Sequence, residues 1–282
     1  EHAGEAETSL MLCLYPELVR MDLAADGEDD SGVSFEAYPE GVAVGPPAPG
    51  VEIKISDTGE VMYKSPGNFI GYYKNPEATA ETMVDGWLLS GDAGYMTKRG
   101  HLKIIDRAKD VSKLNDGTMF APKYIENKLK FSPYIKESVA HGMNRDFVAV
   151  FIDIDYGAVA NWAERRHLGF TSYTDLAQKP EIYDLIYNEI LRVNKSLSED
   201  EQLKNSQIKR YLLLHKELNP DDGEITRTRK VRRRFVAEKY ATLIEALYAG
   251  NDNVDVEAKI TYEDGRTTTM KANLKIRDVE TY

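Results

Sequence analysis

The sequence predicts an α+β protein, with a small antiparallel β-sheet or partial barrel ahead of a mixed α+β domain. Three observations lead there. Apolar residues alternate with polar ones from Val51 to Tyr63, the two-residue period of a half-buried strand. From Pro122 the spacing changes to the three-and-four rhythm of helices packed on a core. A length of 282 residues suits one large or two ordinary domains, and 42% apolar against 29% charged residues is a globular balance.

The chain opens on an acidic stretch. Residues 1–50 hold eleven acids and the single base Arg20, a balance of −10, which leaves −1 of the net charge of −11 for the other 232 residues. So sharp a break suggests that the two parts have different histories. The first residue is not Met, and the chain is read as a piece of a longer protein. Cys13, the single cysteine, cannot pair within the chain and reads as a small buried hydrophobe among Leu10–Leu14. No stretch approaches the ~20 apolar residues that cross a bilayer, and no signal-peptide core follows a basic start. The expected location is cytoplasmic, with a peripheral place at the membrane as an option.

Gly45-Pro46-Pro47-Ala48-Pro49-Gly50 is too rich in Pro and Gly for a regular element and marks a joint. Val51, Ile53 and Ile55, then Val61 and Tyr63, flank Asp57-Thr58-Gly59 as a hairpin, and His101–Ile105 forms a third short strand. Pro122 starts a helix that carries Tyr124, Ile125 and Leu129 on one side. A strand, a turn over Gly142–Asp146 and a second strand over Phe147–Ile154 follow. Asp155 caps a helix that runs to about His167 and closes at Gly169. Ile182, Leu185, Ile186, Ile190, Val193 and Leu197 define an amphipathic helix, Ile208–Leu214 a buried strand, and Phe235–Tyr248 a last helix. From Val254 the chain alternates around Glu263-Asp264-Gly265-Arg266 as a two-stranded hairpin. Four parts result: 1–43, 44–106, 107–249 and 250–282.

Three segments hold residues with chemistry to explain. Gly86-Trp87-Leu88-Leu89-Ser90-Gly91-Asp92 presents a carboxylate just after a glycine, where it can accept two hydrogen bonds from a ribose diol; an acid in an ordinary turn reads the same way. Asp106-Arg107-Ala108-Lys109-Asp110, followed by Lys113-Leu114-Asn115-Asp116-Gly117, alternates charge in the manner of a solvated linker. Thr226-Arg227-Thr228-Arg229-Lys230-Val231-Arg232-Arg233-Arg234 packs six bases into nine residues, a phosphate-binding patch or a basic surface loop.

In this order and at these intervals, together with Gly71-Tyr72-Tyr73-Lys74-Asn75-Pro76-Glu77-Ala78-Thr79, the segments resemble the adenylate-forming superfamily of acyl-CoA synthetases, luciferases and peptide-synthetase adenylation domains. The resemblance runs from about Val44 to at least Tyr248. Tyr124-Ile125-Glu126-Asn127-Lys128-Leu129 and the long stretch between Asp155 and Leu197 are most similar to the long-chain fatty acyl branch, including its bubblegum-type relatives. The resemblance implies that 44–106 is the β-rich end of the family's N-terminal domain and 107–249 its mobile C-terminal domain.

The same resemblance implies roles. Asp92 would bind the ribose hydroxyls of ATP or acyl-AMP, with Arg107 assisting at that sugar. Lys109 would be the hinge about which the small domain swings between half-reactions. Lys230 would be the catalytic lysine of adenylation, reaching the acyl carboxylate and α-phosphate as charge builds there. Lys113–Gly117 would face the site after the swing and help admit CoA, with Gly117 allowing close backbone approach. No Gly precedes Lys230 in its motif, and Ser90 stands where Thr is commoner.

The family's phosphate loop ending in Pro-Lys and its magnesium-binding Glu in a Tyr-Gly-x-Thr-Glu type segment are not in this sequence. ATP, Mg2+ and CoA are therefore implied by the family, but a missing N-terminal adenylation domain would hold the phosphates, the metal and the acyl tunnel. No metal ligand set is assigned to this chain. Residues 1 to about 40, through Glu1-His2-Ala3-Gly4-Glu5 and Pro16-Glu17-Leu18-Val19-Arg20, resemble the creatininase family of amidohydrolases. His2 would match an active-site histidine and Glu5 a nearby acid, yet the upstream metal ligands are absent.

The leading expectation is a partial long-chain fatty acid–CoA ligase, inactive without the missing domain, whose parent reaction joins fatty acid, ATP and CoA through an acyl-adenylate. The alternative is a non-catalytic module that binds CoA or nucleotide. A creatininase-like metal-dependent amidohydrolase is a minor alternative. A nucleic-acid role for Arg227–Arg234 is set aside, because the surrounding domain is nearly neutral and lacks interleaved aromatics.

Overall fold

The structure is a computed structural model that describes residues 42–228, 230–261 and 267–282. His2, Glu5, Cys13 and the rest of the acidic opening through residue 41, Arg229, and the expected Glu263–Arg266 turn lie outside the described residues. The chain divides into two units, Glu1–Val111 and Ser112–Tyr282.

The first unit is an antiparallel sheet in the order β1-β6-β5-β3-β2, with β4 also on β5. Its strands are β1 (Val42–Gly45), β2 (Glu52–Ile55), β3 (Glu60–Lys64), β4 (Met83–Val84), β5 (Trp87–Met96) and β6 (Leu102–Arg107). Val61, Tyr63, Leu88, Leu102 and Ile104 form its core, as the alternation at β3 requires. The sheet is twice the size that sequence alternation indicated. β5, ten residues long, carries Gly91 and Gly94 and breaks register between Ala93 and Gly94, so it has no continuous two-residue period. Gly94 is obligatory: a Cβ there would lie 2.4 Å from the Lys103 carbonyl oxygen across the sheet. A short helix, α1 (Pro76–Thr82), precedes β4, capped by the Asn75 side chain, which accepts from the Ala78 amide at 3.0 Å.

The second unit is built on a five-stranded sheet in the order β12-β13-β11-β10-β9. Its strands are β9 (Ile135–His141), β10 (Val148–Ile154), β11 (Ile208–Leu213), β12 (Asn253–Thr261) and β13 (Thr267–Asp278); β10 and β11 run parallel and the other pairs antiparallel. All seven residues of β10 are buried, as expected of a central strand covered on both faces. Ala149, Phe151 and Leu212 pack with residues of α6 (Arg233–Lys239) and α7 (Ala241–Tyr248). Tyr211 belongs to the other face, its hydroxyl donating to the carbonyl of Tyr183 on α5 (Pro180–Ser198) at 2.7 Å. That crossover also contains α3 (Tyr156–Glu164) and α4 (Tyr173–Ala177). α2 (Pro122–Lys130) precedes β9. The C-terminal hairpin is part of the sheet, since β13 pairs with β11 through Ile276, Arg277 and Asp278.

Two helices differ from their sequence outlines. Asp155 caps α3 by accepting from the Ala158 amide at 2.9 Å, but the helix ends at Glu164, and His167 takes a left-handed turn at φ 57°. The expected helix Phe235–Tyr248 is two helices that meet at Tyr240, whose φ of −107° and ψ of 25° leave the helical region. Burial explains the break: Tyr240 is 5% exposed and its hydroxyl donates to the buried Glu224.

Candidate functional site

Asp92 and Arg107 lie directly opposite each other on β5 and β6. Antiparallel pairing thus brings together two residues fifteen apart, and Arg107 Nη1 sits 3.1 Å from Asp92 Oδ1. Asp92 is 1% exposed, while the Arg107 side chain stays 36% exposed. Supporting contacts come from Ser90, which the sequence marks only as a departure from the commoner Thr, and from Glu60, which sequence reasoning missed. Ser90 Oγ donates to the Val61 carbonyl at 2.7 Å and accepts from the Asp92 amide at 3.1 Å. Glu60 accepts from the Gly91 amide at 2.9 Å, and Gly91 takes φ 73° inside β5, where the register with β3 shifts. The Ser90–Val61 and Glu60–Gly91 contacts have no sequence signal, because each joins strands that are distant along the chain.

Arg107 ends β6, and the chain turns at once. The Asp110 and Val111 amides both donate to the Arg107 carbonyl, at 2.9 and 3.2 Å, which places exposed Lys109 inside the turn. Lys109 stands two residues before Val111, where the first unit ends.

In the second unit, Lys113 and Gly117 belong to a small hairpin of β7 (Ser112–Lys113) and β8 (Met119–Phe120). The Leu114 amide donates to Thr118 and the Gly117 amide to Leu114, at 2.9 and 3.0 Å. Gly117 adopts φ 86°, and a Cβ on it would meet nothing within 4 Å. Within this chain the glycine therefore serves backbone conformation and not close packing. Asp116 accepts from the Thr118 amide at 2.8 Å, and bonds from Thr118 hold its carboxyl below the usual range. The hairpin is tied to the β9–β10 turn: Asn115 Nδ2 donates to Asp146 at 2.6 Å and the Asn144 amide to the Lys113 carbonyl at 3.0 Å. Beside it opens a groove of about 590 Å³ lined by Asn115, Arg145, Phe147, Glu245 and Tyr248 among others. The Arg145 guanidinium lies 4.7 Å from the Tyr248 ring centre and is paired with Glu245.

Lys230 sits at the base of a second hairpin, closed by a bridge between Ile225 and Val231. The Thr226 amide donates to the Lys230 carbonyl at 2.8 Å, and the Lys230 amide to Thr226 Oγ1 at 3.0 Å. The side chain of Lys230 is exposed. The basic run around it divides by partner. Arg233 makes a two-pronged pair with the buried Glu126, at 2.6 and 2.7 Å, and donates to the Ala140 carbonyl. Arg234 pairs with Glu238, and Arg232 Nη1 donates to the Gly223 carbonyl. Much of the basic run thus serves structure, which a count of charges does not reveal. Among the described residues no group of three or more His, Cys, Asp or Glu side chains is placed to hold a metal ion. No described helix is long and apolar enough to cross a membrane.

Comparison with known proteins separates the chain into two matches. Residues 109–252 match the family model of the AMP-binding enzyme C-terminal domain, and residues 1–86 match that of creatinine amidohydrolase. The latter runs beyond the acidic opening and through β4. Long-chain-fatty-acid–CoA ligase FadD15 of Mycobacterium tuberculosis is 34% identical over 206 residues, 73% of this chain and 34% of the relative. Human long-chain-fatty-acid–CoA ligase 1 is 34% identical over 221 residues, with 73% and 31% covered. The chain thus spans about a third of the length of these relatives. Among solved structures, the A domain of the carboxylic acid reductase from Segniliparus rugosus, in complex with AMP and a co-purified carboxylic acid, aligns with a TM-score of 0.50 at 20% identity. That alignment covers 73% of this chain and 32% of the reductase domain, and it supports the fold. With its fold, its matched residues and its relatives in agreement, this chain belongs to the adenylate-forming enzymes through their AMP-binding C-terminal domain, joined to a creatininase fragment over residues 1–86.

Proposed function

We propose that this chain supplies the C-terminal part of a long-chain fatty acid–CoA ligase, which forms an acyl-adenylate from ATP and then an acyl-CoA. The observation that carries the reading is the exposed Lys230 on a short, hydrogen-bonded hairpin inside the matched domain. An ammonium on a flexible stem suits a charge that develops in the transition state of adenylation and must then be left behind. Asp92 and Arg107 form a carboxylate and guanidinium pair that fits a ribose diol, with Asp92 accepting and Arg107 orienting it. Lys109, in the turn before the unit boundary, is proposed as the hinge, and Lys113–Gly117 as the side that meets CoA.

The described residues offer no cluster for magnesium, so no step is assigned to a metal held by this chain. A partner adenylation domain would bring the phosphate and metal sites and the acyl tunnel. The test is pyrophosphate release with ATP, magnesium and palmitate, measured on the chain alone and with a long-chain ligase N-terminal domain. The proposal expects turnover only in the mixture. The second reading is a module that binds CoA or nucleotide without turnover. CoA binding with no pyrophosphate release in either sample would select it.

A further inference from the structure

Lys230 is exposed and its long stem is flexible, so the accuracy with which it reaches a substrate depends on the backbone beneath it. One residue at the foot of that backbone, Glu224, gathers bonds from several parts of the second unit. Glu224 is fully buried, and each of its carboxylate oxygens accepts two hydrogen bonds. Oε1 takes them from Lys239 Nζ at 2.8 Å and from the Tyr240 hydroxyl; Oε2 takes them from Lys216 Nζ at 2.7 Å and the Asn219 amide at 2.9 Å. These donors come from the segment after β11, from the end of α6 and from the break before α7. The main chain of Glu224 completes the anchor. Its carbonyl accepts from the Arg232 amide at 2.8 Å, and its neighbour Ile225 bridges Val231, so both legs of the Lys230 hairpin are fixed at this point. Gly223 makes the approach possible with φ 74°, and its carbonyl accepts from Arg232 Nη1.

We propose that Glu224 is the positioning residue of Lys230, clamping the two legs of its hairpin to the core of the second unit through a fully hydrogen-bonded buried carboxylate. Its link to adenylation rests on the assignment of Lys230 made above; the clamp itself does not. Burial acts to raise the Glu224 carboxyl, but the bonds from Lys216, Lys239, Tyr240 and Asn219 outweigh it and hold the group below its ordinary range. The residue is therefore ionised wherever the hairpin is needed near neutral pH.

Amide hydrogen exchange on the whole chain tests the clamp. In Glu224→Gln, and separately in Tyr240→Phe, the Thr226 and Arg232 amides are expected to exchange about tenfold faster or more, while Val150 and Leu212 in the central strands keep their rates. Unchanged hairpin amides in both variants would overturn the proposal. So would a uniform rise that includes Val150 and Leu212, since that is plain loss of domain stability. The catalytic link is read in a fusion to a ligase N-terminal domain. Glu224→Gln should lower kcat for adenylation about tenfold or more with the ATP KM unchanged, and spare acyl transfer from preformed acyl-adenylate. Full adenylation in Glu224→Gln beside a dead Lys230→Ala would sink the positioning role alone. Full adenylation in Lys230→Ala would sink the assignment of Lys230 and leave the exchange result standing.

Discussion

Glu126→Ala removes the carboxylate that joins α2, β9 and the start of α6, three residues beyond Lys230. In the structure Glu126 is 6% exposed and receives Arg233 through both prongs, while its Oε1 also accepts from the Ala140 amide at 2.7 Å. Truncation leaves a guanidinium and a backbone N–H short of an acceptor. Removing one partner of a fully buried ion pair costs 3–5 kcal/mol in general, and the 33% exposure of the Arg233 side chain gives water partial access, so about 2–3 kcal/mol is expected. The reporter is Trp162 on α3, read in a Trp87→Phe background so that fluorescence follows the second unit alone. With a urea slope of about 2 kcal/mol/M, the midpoint should fall by about 1 M or more without a change in slope. The double variant Glu126→Leu/Arg233→Met should recover much of the loss, because the unpaired charge goes with its partner. A midpoint within about 0.2 M of the parent for Glu126→Ala would refute the reasoning.

Other perturbations follow from the same geometry. Gly94→Ala would set a Cβ 2.4 Å from the Lys103 carbonyl, so the first unit, followed by Trp87 in a Trp162→Phe background, should lose about 1–3 kcal/mol; an unchanged transition would mean that β5 and β6 can part without cost. Asp155→Ala deletes the cap of α3 and should cost about 1 kcal/mol, with Asp155→Asn costing much less, as read by Trp162. Burial, partly opposed by bonds from the Leu218 amide and the Tyr173 hydroxyl, pushes the Asp153 carboxyl up to about 7. Its folded form then holds a proton that the unfolded chain has released, so it lowers stability as pH rises from about 4 to about 7 and adds no further slope above that. Urea midpoints at pH 5 and pH 8 should fall less between the two in Asp153→Asn than in the parent, and parallel profiles would contradict the assignment.

Local chemistry made part of this molecule legible in its sequence. Asp155 announced its cap, Ile182–Leu197 its helix, and Ile208–Leu214 its buried strand, because each signal lies within a few residues of the feature it determines. Asp92 and Arg107 were legible as candidates, but their pairing was not, since it depends on the register of β5 against β6. Strand β5 itself was hidden by Gly91 and Gly94, which interrupt alternation while serving a register shift and a close approach. The break at Tyr240 was hidden too: the apolar spacing continues across it, and only the buried partner Glu224 explains it. Glu224 and Glu126 were the hardest to see. An acid in a polar loop or on a charged helix reads as solvated surface until the fold closes over it.

The central claim is that this chain completes an adenylate-forming ligase through Lys230. Its most direct test replaces the matching C-terminal region of FadD15 with residues 44–282 of this chain, which keeps β12 and β13 in the sheet, and measures ATP-dependent pyrophosphate release with palmitate. The account predicts turnover by the fusion, loss of about a hundredfold or more in Lys230→Ala, and retained acyl transfer to CoA from preformed palmitoyl-adenylate in that variant. A folded fusion with no turnover, or one in which Lys230→Ala adenylates palmitate as fast as the parent, would contradict it.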